Sequence, residues 1–225
     1  NQNGLTEVKV EATLAAEPTL GYRTTAKLVV ARERNALKIG LYRRGSHNVV
    51  GIENCPLHHP LINRIVKVVA DEIGRQQIPV YNPNHQRGLL RYLLIRVSPH
   101  SGKAMVTFVS REKDLRFLPK LGKWLQHKVP EVTAVHQNIN ASQGNVVIGG
   151  ETHKLHGNPD LFDRVGDIRL RIGPTSFFQV NHQQAARVYQ MSRDWATLNG
   201  NQTALDLYCG VGGISLHLAQ DAGQV

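Results

Sequence analysis

The sequence has little that could cross-link or anchor it. Its two cysteines, Cys55 and Cys209, are too few for a disulfide framework. No run of apolar residues reaches the length of a membrane-spanning helix. The opening Asn1-Gln2-Asn3-Gly4 has neither the basic start nor the apolar stretch of a secretory signal. Internal repeats and low-complexity tracts are absent, and 41% hydrophobic residues exclude a wholly disordered or collagen-like chain. These absences are read as a soluble protein of a reducing, cytoplasmic compartment. The sequence lacks an initiator Met and stops at Val225 inside an unfinished pattern, so the 225 residues are expected to be a piece cut at both ends.

Acidic residues are also scarce. Against 17 Asp and Glu stand 27 Lys and Arg, a formal net charge of +10. The excess is local: residues 1–128 carry a net +12 and residues 129–225 a net −2. Within the first half, residues 21–50 hold seven bases and one acid, and residues 85–128 hold ten bases and two acids. A field of one sign favours a polyanionic partner. Tyr22, Tyr42, Tyr92, Phe108 and Phe117 are interleaved with these bases. Stacking on aromatics combined with phosphate contacts is how single-stranded RNA is commonly held. The plainer alternative is a solvated basic surface, which would show mixed signs.

Several stretches have clear periodicity. Residues 24–34 and 36–42 are β-rich, and Leu37, Ile39 and Leu41 alternate with Lys38 and Gly40, so a hairpin joined at Arg34-Asn35 is expected. From Pro60, Leu61, Ile62, Ile65, Val66, Val69 and Ile73 recur at helical spacing. Two strands, 89–98 and 103–110, flank the turn Pro99-His100-Ser101-Gly102. Residues 115–128 suggest a basic amphipathic helix interrupted by Pro119, and residues 132–139 and 145–149 suggest two more strands. The first 160 residues are therefore expected to form an α+β domain with mostly antiparallel pairing.

From residue 161 the character changes. A strand over 167–172 ends at Gly173-Pro174, and Asn181 is placed to cap a helix over 182–198, with Ala185, Val188, Tyr189, Ser192 and Trp195 on one side. From Thr203 a buried strand is expected, ending at the acid Asp206. A glycine turn follows, then a helix over 214–220, and a second parallel strand should begin at Gln224-Val225. Strand, glycine turn and helix begin an α/β domain over 161–225.

The most informative stretch is Asp206-Leu-Tyr-Cys-Gly210-Val-Gly212. Gly210 and Gly212 allow backbone to approach a ligand with no Cβ in the way. The dinucleotide fingerprint would need a third glycine where Ser215 stands, and the phosphate-loop Lys is absent. The pattern D-x-x-x-G-x-G resembles motif I of class I methyltransferases, which bind S-adenosylmethionine. Its alternative is an ordinary tight turn. A second stretch, Gly173-Pro-Thr-Ser-Phe-Phe-Gln-Val-Asn181, ends 25 residues before Asp206. The pair, at this spacing, resembles the RNA uracil-5-methyltransferases, which make 5-methyluridine in ribosomal and transfer RNA. Residues 21–30, 51–60, 88–98, 138–140 and 145–152 resemble the central RNA-binding domain of that family, so the resemblance covers almost the whole chain. It is nearest to the bacterial enzymes acting on 23S ribosomal RNA, with the transfer-RNA branch as the alternative.

The resemblance implies a central α+β RNA-binding domain followed by the start of a class I, Rossmann-like methyltransferase domain. It implies that Gln179 and Tyr208 contact S-adenosylmethionine, with Asp206, Gly210 and Gly212 forming the rest of that loop. An amide can hold the cofactor's polar groups and a ring can pack on it. Phe178 is expected beside the flipped uridine, or else as a core ring at a domain seam. Arg23 and Arg91 are candidate RNA contacts. In the family a Cys adds to carbon 6 of the uracil, carbon 5 then takes the methyl group, and a Glu helps remove the carbon 5 proton. Both residues, and the acid that grips the cofactor's ribose, are expected after Val225. The piece alone is therefore expected to be inactive.

Two cysteine readings remain. Cys209 lies in motif I at a helix start, a place that lowers a thiol's pKa, but the family match gives it no nucleophilic role. Cys55, in Asn54-Cys55-Pro56, resembles the fourth ligand of a [4Fe–4S] cluster whose other ligands would lie upstream, or else is a small buried residue. His58-His59 beside it lacks the usual zinc spacing. A methyltransferase acting on protein or small molecules, and an RNA-binding module without activity, are the competing readings. The basic, aromatic-bearing first half argues against the former.

Overall fold

The computed structural model describes residues 11–34, 36–144 and 146–225. Strands β1 (Thr25–Glu33) and β2 (Ala36–Tyr42) form the expected hairpin. Arg34 takes a left-handed turn with φ 47°, and Asn35 lies outside the described residues. β3 (Val49–Gly51) adds to β2. Helix α1 (Pro60–Arg75) begins where proline is tolerated, and the His59 side chain accepts from the Leu61 amide at 3.2 Å. β4 (Leu90–Ser98) and β5 (Lys103–Ser110) lie almost where the alternation puts them. α2 (Leu118–Lys128), β6 (Val132–Ile139) and β7 (Glu151–Gly157) complete the first unit.

The seven strands form one sheet in the order β3-β2-β1-β4-β5-β6-β7. Every pair is antiparallel except β5–β6, which α2 connects, as parallel neighbours require a crossover. Helices α1 and α2 cover one face. There Ile62, Ile65, Val69 and Ile73 are fully buried against Leu28, Leu93, Ile95 and Phe108. Each such side chain contributes about 1.5–3 kcal/mol relative to exposure. The opposite face carries a hairpin of β8 (Leu161–Val165) and β9 (Ile168–Ile172), with helix α3 (His182–Ala196) and short helix α4 (Gly213–Leu218). Among the described residues no helix is long and apolar enough to cross a membrane.

Four expectations need correction. Pro119 stands in the first turn of α2 and interrupts nothing. The Asp114 carboxylate accepts from the amides of Phe117 at 2.8 Å and Leu118 at 2.6 Å, which fixes a later helix start. Residues 146–149 form no strand, and Asn145 lies outside the described residues. The Asn140 amide donates to the carbonyls of Val146 and Val147, and that of Asn138 to Gly149 and Glu151, so side chains take carbonyls that a ladder would use. Helix α3 ends at Ala196, where Thr197 turns left-handed, and of its expected inner face only Ala185 and Tyr189 are buried. Thr203 to Tyr208 forms no strand either. Thr203 pairs in parallel with Gln224, but Leu205 and Leu207 are exposed, and a parallel strand depends on cover from both faces.

Candidate functional site

The segment 173–181 is fastened to the sheet at three points. Arg96 of β4 donates to the carbonyls of Gly173 and Ser176. Burial pushes the Arg96 guanidinium down to about 10, which leaves it charged at neutral pH. Thr24 donates to the Val180 carbonyl from its amide at 2.9 Å and from its hydroxyl at 3.2 Å. Asn181 bridges to Arg23 and caps α3, its side-chain oxygen accepting from Gln184 at 3.0 Å. Between these anchors Gln179 is exposed. Phe178 is 6% exposed and packs inward with Met105, Leu170 and Tyr189, so it takes the seam position and offers solvent no face. Its neighbour Phe177 is 70% exposed.

The glycine loop has its own internal fastening. Asp206 accepts from the Ser215 amide at 3.1 Å and the Ser215 hydroxyl at 2.6 Å, which holds the loop against α4. Gly210 and Gly212 have φ of 59° and 78°, in the left-handed region. A Cβ on Gly210 would meet nothing within 4 Å, so space lies open beside the backbone there. Gly213 is closed in: a Cβ there would come within 2.6 Å of the Tyr189 ring. Tyr208 is wholly exposed and Cys209 is exposed.

The fold brings the two motifs together. Phe178 from the first, Tyr189 from α3, and Val211 and Ile214 from the second share one apolar cluster. Arg193 of α3 also pairs with Asp221 beyond α4, with a second contact to Asp221 Oδ1 at 2.6 Å. An exposed amide at Gln179, an exposed ring at Tyr208 and an open glycine turn are groups that fit S-adenosylmethionine. Asn63 of α1 holds the Cys55 backbone, and among the described residues no group of three His, Cys, Asp or Glu could hold a metal ion. His59 is occupied as the α1 cap, and His58 is buried, which holds its pKa low.

The two candidate RNA arginines are placed differently from each other. Arg23 is half-buried at a backbone junction: its amide donates to the Leu57 carbonyl at 2.8 Å and its Nε to the Thr25 carbonyl at 3.2 Å. Arg91 is turned inward, 6% exposed, donating to the carbonyls of Asn140 and Ser142. Its guanidinium lies 4.6 Å from the Tyr81 ring centre and 5.5 Å from that of Tyr92.

Sequence reasoning missed three positioning groups. One is Arg96, whose signal was a lone cation inside the apolar run Leu93 to Val97. The second is Thr24. The third is a buried relay in which Ser98 of β4 donates to Asp163 of β8 at 2.7 Å. His182 Nε2 lies 3.3 Å from the other Asp163 oxygen and 2.8 Å from the Arg164 carbonyl. Those residues are remote in sequence, so no local pattern announces them.

No family model matches the chain. Curated proteins do. An uncharacterized RNA methyltransferase of Geobacter sulfurreducens is 46% identical over 217 residues, 96% of this chain and 44% of that protein. Another, from Enterococcus faecalis, is 34% identical over 98% of this chain and 48% of that protein. The chain thus spans about half the length of the curated relatives it matches. Among solved structures, the tRNA (uracil-54, C5)-methyltransferase of Pyrococcus abyssi, in complex with S-adenosyl-L-homocysteine, matches with a TM-score of 0.72. It is 25% identical, over 89% of this chain and 47% of that one. The fold is that of an S-adenosylmethionine-dependent methyltransferase. The chain belongs to the RNA uracil-5-methyltransferase family.

Proposed function

We propose that the protein to which this chain belongs methylates carbon 5 of a uridine in 23S ribosomal RNA, with S-adenosylmethionine as donor. The observation that carries this reading is the shared cluster of Phe178, Tyr189, Val211 and Ile214, which joins the segment that holds Gln179 to the helix that follows the open glycine turn. The likeness to a tRNA uracil-C5 enzyme bound to the demethylated cofactor supports the reaction class. The net +12 of residues 1–128 supports a polyanionic substrate, with this half binding RNA and the residues from 161 onward binding cofactor.

In this reading S-adenosylmethionine supplies the methyl group. Gln179 and Tyr208 bind it, the turn at Gly210 and Gly212 admits it, and Asp206 holds that turn in shape through Ser215. The exposed Phe177 is the ring that a flipped base can reach, while Phe178 positions it from the seam. The nucleophilic Cys and the Glu base are assigned to residues after Val225, and the protein works in the cytoplasm.

The test is methyl transfer by the full-length protein, with methyl-labelled S-adenosylmethionine and unmodified 23S ribosomal RNA or transfer RNA. Nucleoside mass spectrometry should find labelled 5-methyluridine in the ribosomal RNA. The label appearing in transfer RNA alone would move the substrate to the other branch. Label on any other base, with none on uridine, would overturn the reading.

A further inference from the structure

A cavity lies on the same sheet face as segment 173–181, at the other end of the strands. Its volume is about 310 Å³. That is near the lower end for small-molecule sites, which suits one base better than an extended ligand. Val29 and Tyr92 form its floor. They pair across β1 and β4, pointing away from the α1 and α2 side, where Leu28 and Leu93 lie. Tyr42, Tyr81 and Arg91 form walls, and Lys27 stands exposed at the rim.

The chemistry of this cavity is one-sided. Lys27, His47 and Arg91 line it, and among the described residues no carboxylate does. Arg91 makes contacts to two carbonyls and two rings, and its Nε hydrogen, buried, has no partner among the described residues. Tyr42 packs edge-on with His47 at 5.6 Å and 89°, and the residue is 40% exposed, so part of its ring stays open to a ligand. Burial, then the neighbouring Tyr92, pushes the Tyr42 phenol up to about 12, so it stays neutral beside an anion. A groove lined by Arg32, Arg34, Lys38 and Arg43 adjoins the cavity through the shared wall residue Val49; its acid, Glu33, pairs with Lys38 at 2.6 Å. Rings for a π-face beside cations for phosphate describe a nucleotide of single-stranded RNA.

The position is specific as well. On β4, Tyr92 and Arg96 stand on one face, and their β1 partners are Val29 and Thr25. Four residues of strand separate the cavity from the clamp on segment 173–181, about 13 Å. We propose that this cavity binds one unpaired base of the RNA substrate, near the reacting uridine and distinct from it. The proposal rests on the RNA-methyltransferase reading above and adds a determinant of which RNA is chosen.

The test uses the full-length protein and a short, random-sequence single-stranded oligoribonucleotide, read by fluorescence anisotropy at several salt concentrations. Tyr42→Ala should weaken binding about five-fold or more with an unchanged salt slope, since base stacking is what it removes. Tyr42→Phe should keep wild-type affinity. Lys27→Ala should lower the salt slope by about one, the mark of a phosphate contact. Thermal melts of each variant check that it is folded, and an unfolded Tyr42→Ala is replaced by Tyr42→Leu, which removes the π-face and keeps the bulk. Wild-type affinity in the folded ring-removing variant overturns the proposal, as does wild-type protein that binds no oligoribonucleotide. A protein that binds RNA through Tyr42 yet makes no 5-methyluridine overturns the enzymatic reading alone.

Discussion

Arg96, on the central strand β4, donates from its guanidinium to the backbone carbonyl of Ser176, in the loop that leads into Phe177, Phe178 and Gln179. One buried side chain thus sets the path of the segment assigned to cofactor and base. Arg96→Ala leaves the carbonyls of Gly173 and Ser176 without their charged donor, which should cost about 2–3 kcal/mol. Arg96→Lys should recover only part, because an ammonium lacks the planar fork that reaches both carbonyls. Urea unfolding checks the stability. Calorimetric titration with S-adenosylmethionine should show weaker binding in Arg96→Ala even where the protein is folded. Unchanged cofactor affinity would separate the loop from the cofactor site.

Gly210 and Gly213 lie three residues apart and should answer the same substitution differently. Gly213→Ala drives a Cβ into the Tyr189 ring, forcing α3 and α4 apart, at a cost of about 1–3 kcal/mol. Gly210→Ala meets open space and bears only left-handed strain, about 1 kcal/mol. Its effect should fall on cofactor binding, because the new methyl group fills the space beside the turn. Melting temperature should drop more for Gly213→Ala, and cofactor affinity more for Gly210→Ala. The reverse order would place the cofactor elsewhere.

How much of this was legible in the sequence depends on how local each cause is. Strands β4 and β5, helix α1 and the Asn181 cap follow from alternation, spacing and one capping residue, and they lie where those signals point. The segment 146–149 has the composition of a strand, but Asn138 and Asn140, in the preceding strand and just beyond it, claim its carbonyls. Leu205 and Leu207 have a strand's pattern without the layers that a parallel strand needs. Arg91 is a candidate RNA contact in the sequence, but its burial and its place over the Tyr81 ring come only from the fold. The clamp by Arg96 joins residues about 80 positions apart, and only the topology brings them together.

The pair His182 and Asp163 should make stability depend on pH. Asp163 is buried, and its carboxylate 3.3 Å from His182 Nε2 is the main cause that raises the His182 pKa above the usual 6.5, against the opposing effect of burial. A raised folded-state pKa means the stabilisation is complete below 6.5 and is lost as pH rises through the raised value. His58, His59 and His136 are held low by burial and act in the opposite sense, losing stability as pH falls below 6.5. The measurement is therefore a difference: urea stability of wild type minus that of His182→Gln, followed from about pH 6 to about pH 8.5. The difference should shrink as pH rises. A constant difference would mean that the pair holds no proton linked to folding, and a growing one that folding lowers the His182 pKa instead of raising it.

Phe177 and Phe178 are adjacent, but the fold gives them opposite tasks. Phe178 fills the seam with Met105, Leu170 and Tyr189, so Phe178→Ala should cost about 3–5 kcal/mol by opening a cavity there. Phe177 lies in solvent, and Phe177→Ala should leave unfolding within about 0.5 kcal/mol of wild type. Its loss should instead appear in methyl transfer by the full-length protein, because a flipped base loses the ring it stacks on. Phe177→Tyr keeps that ring and should keep the transfer rate. A Phe177→Ala protein with unaltered transfer would show that the target base is held by other groups, and the exposed ring would then have no part in catalysis.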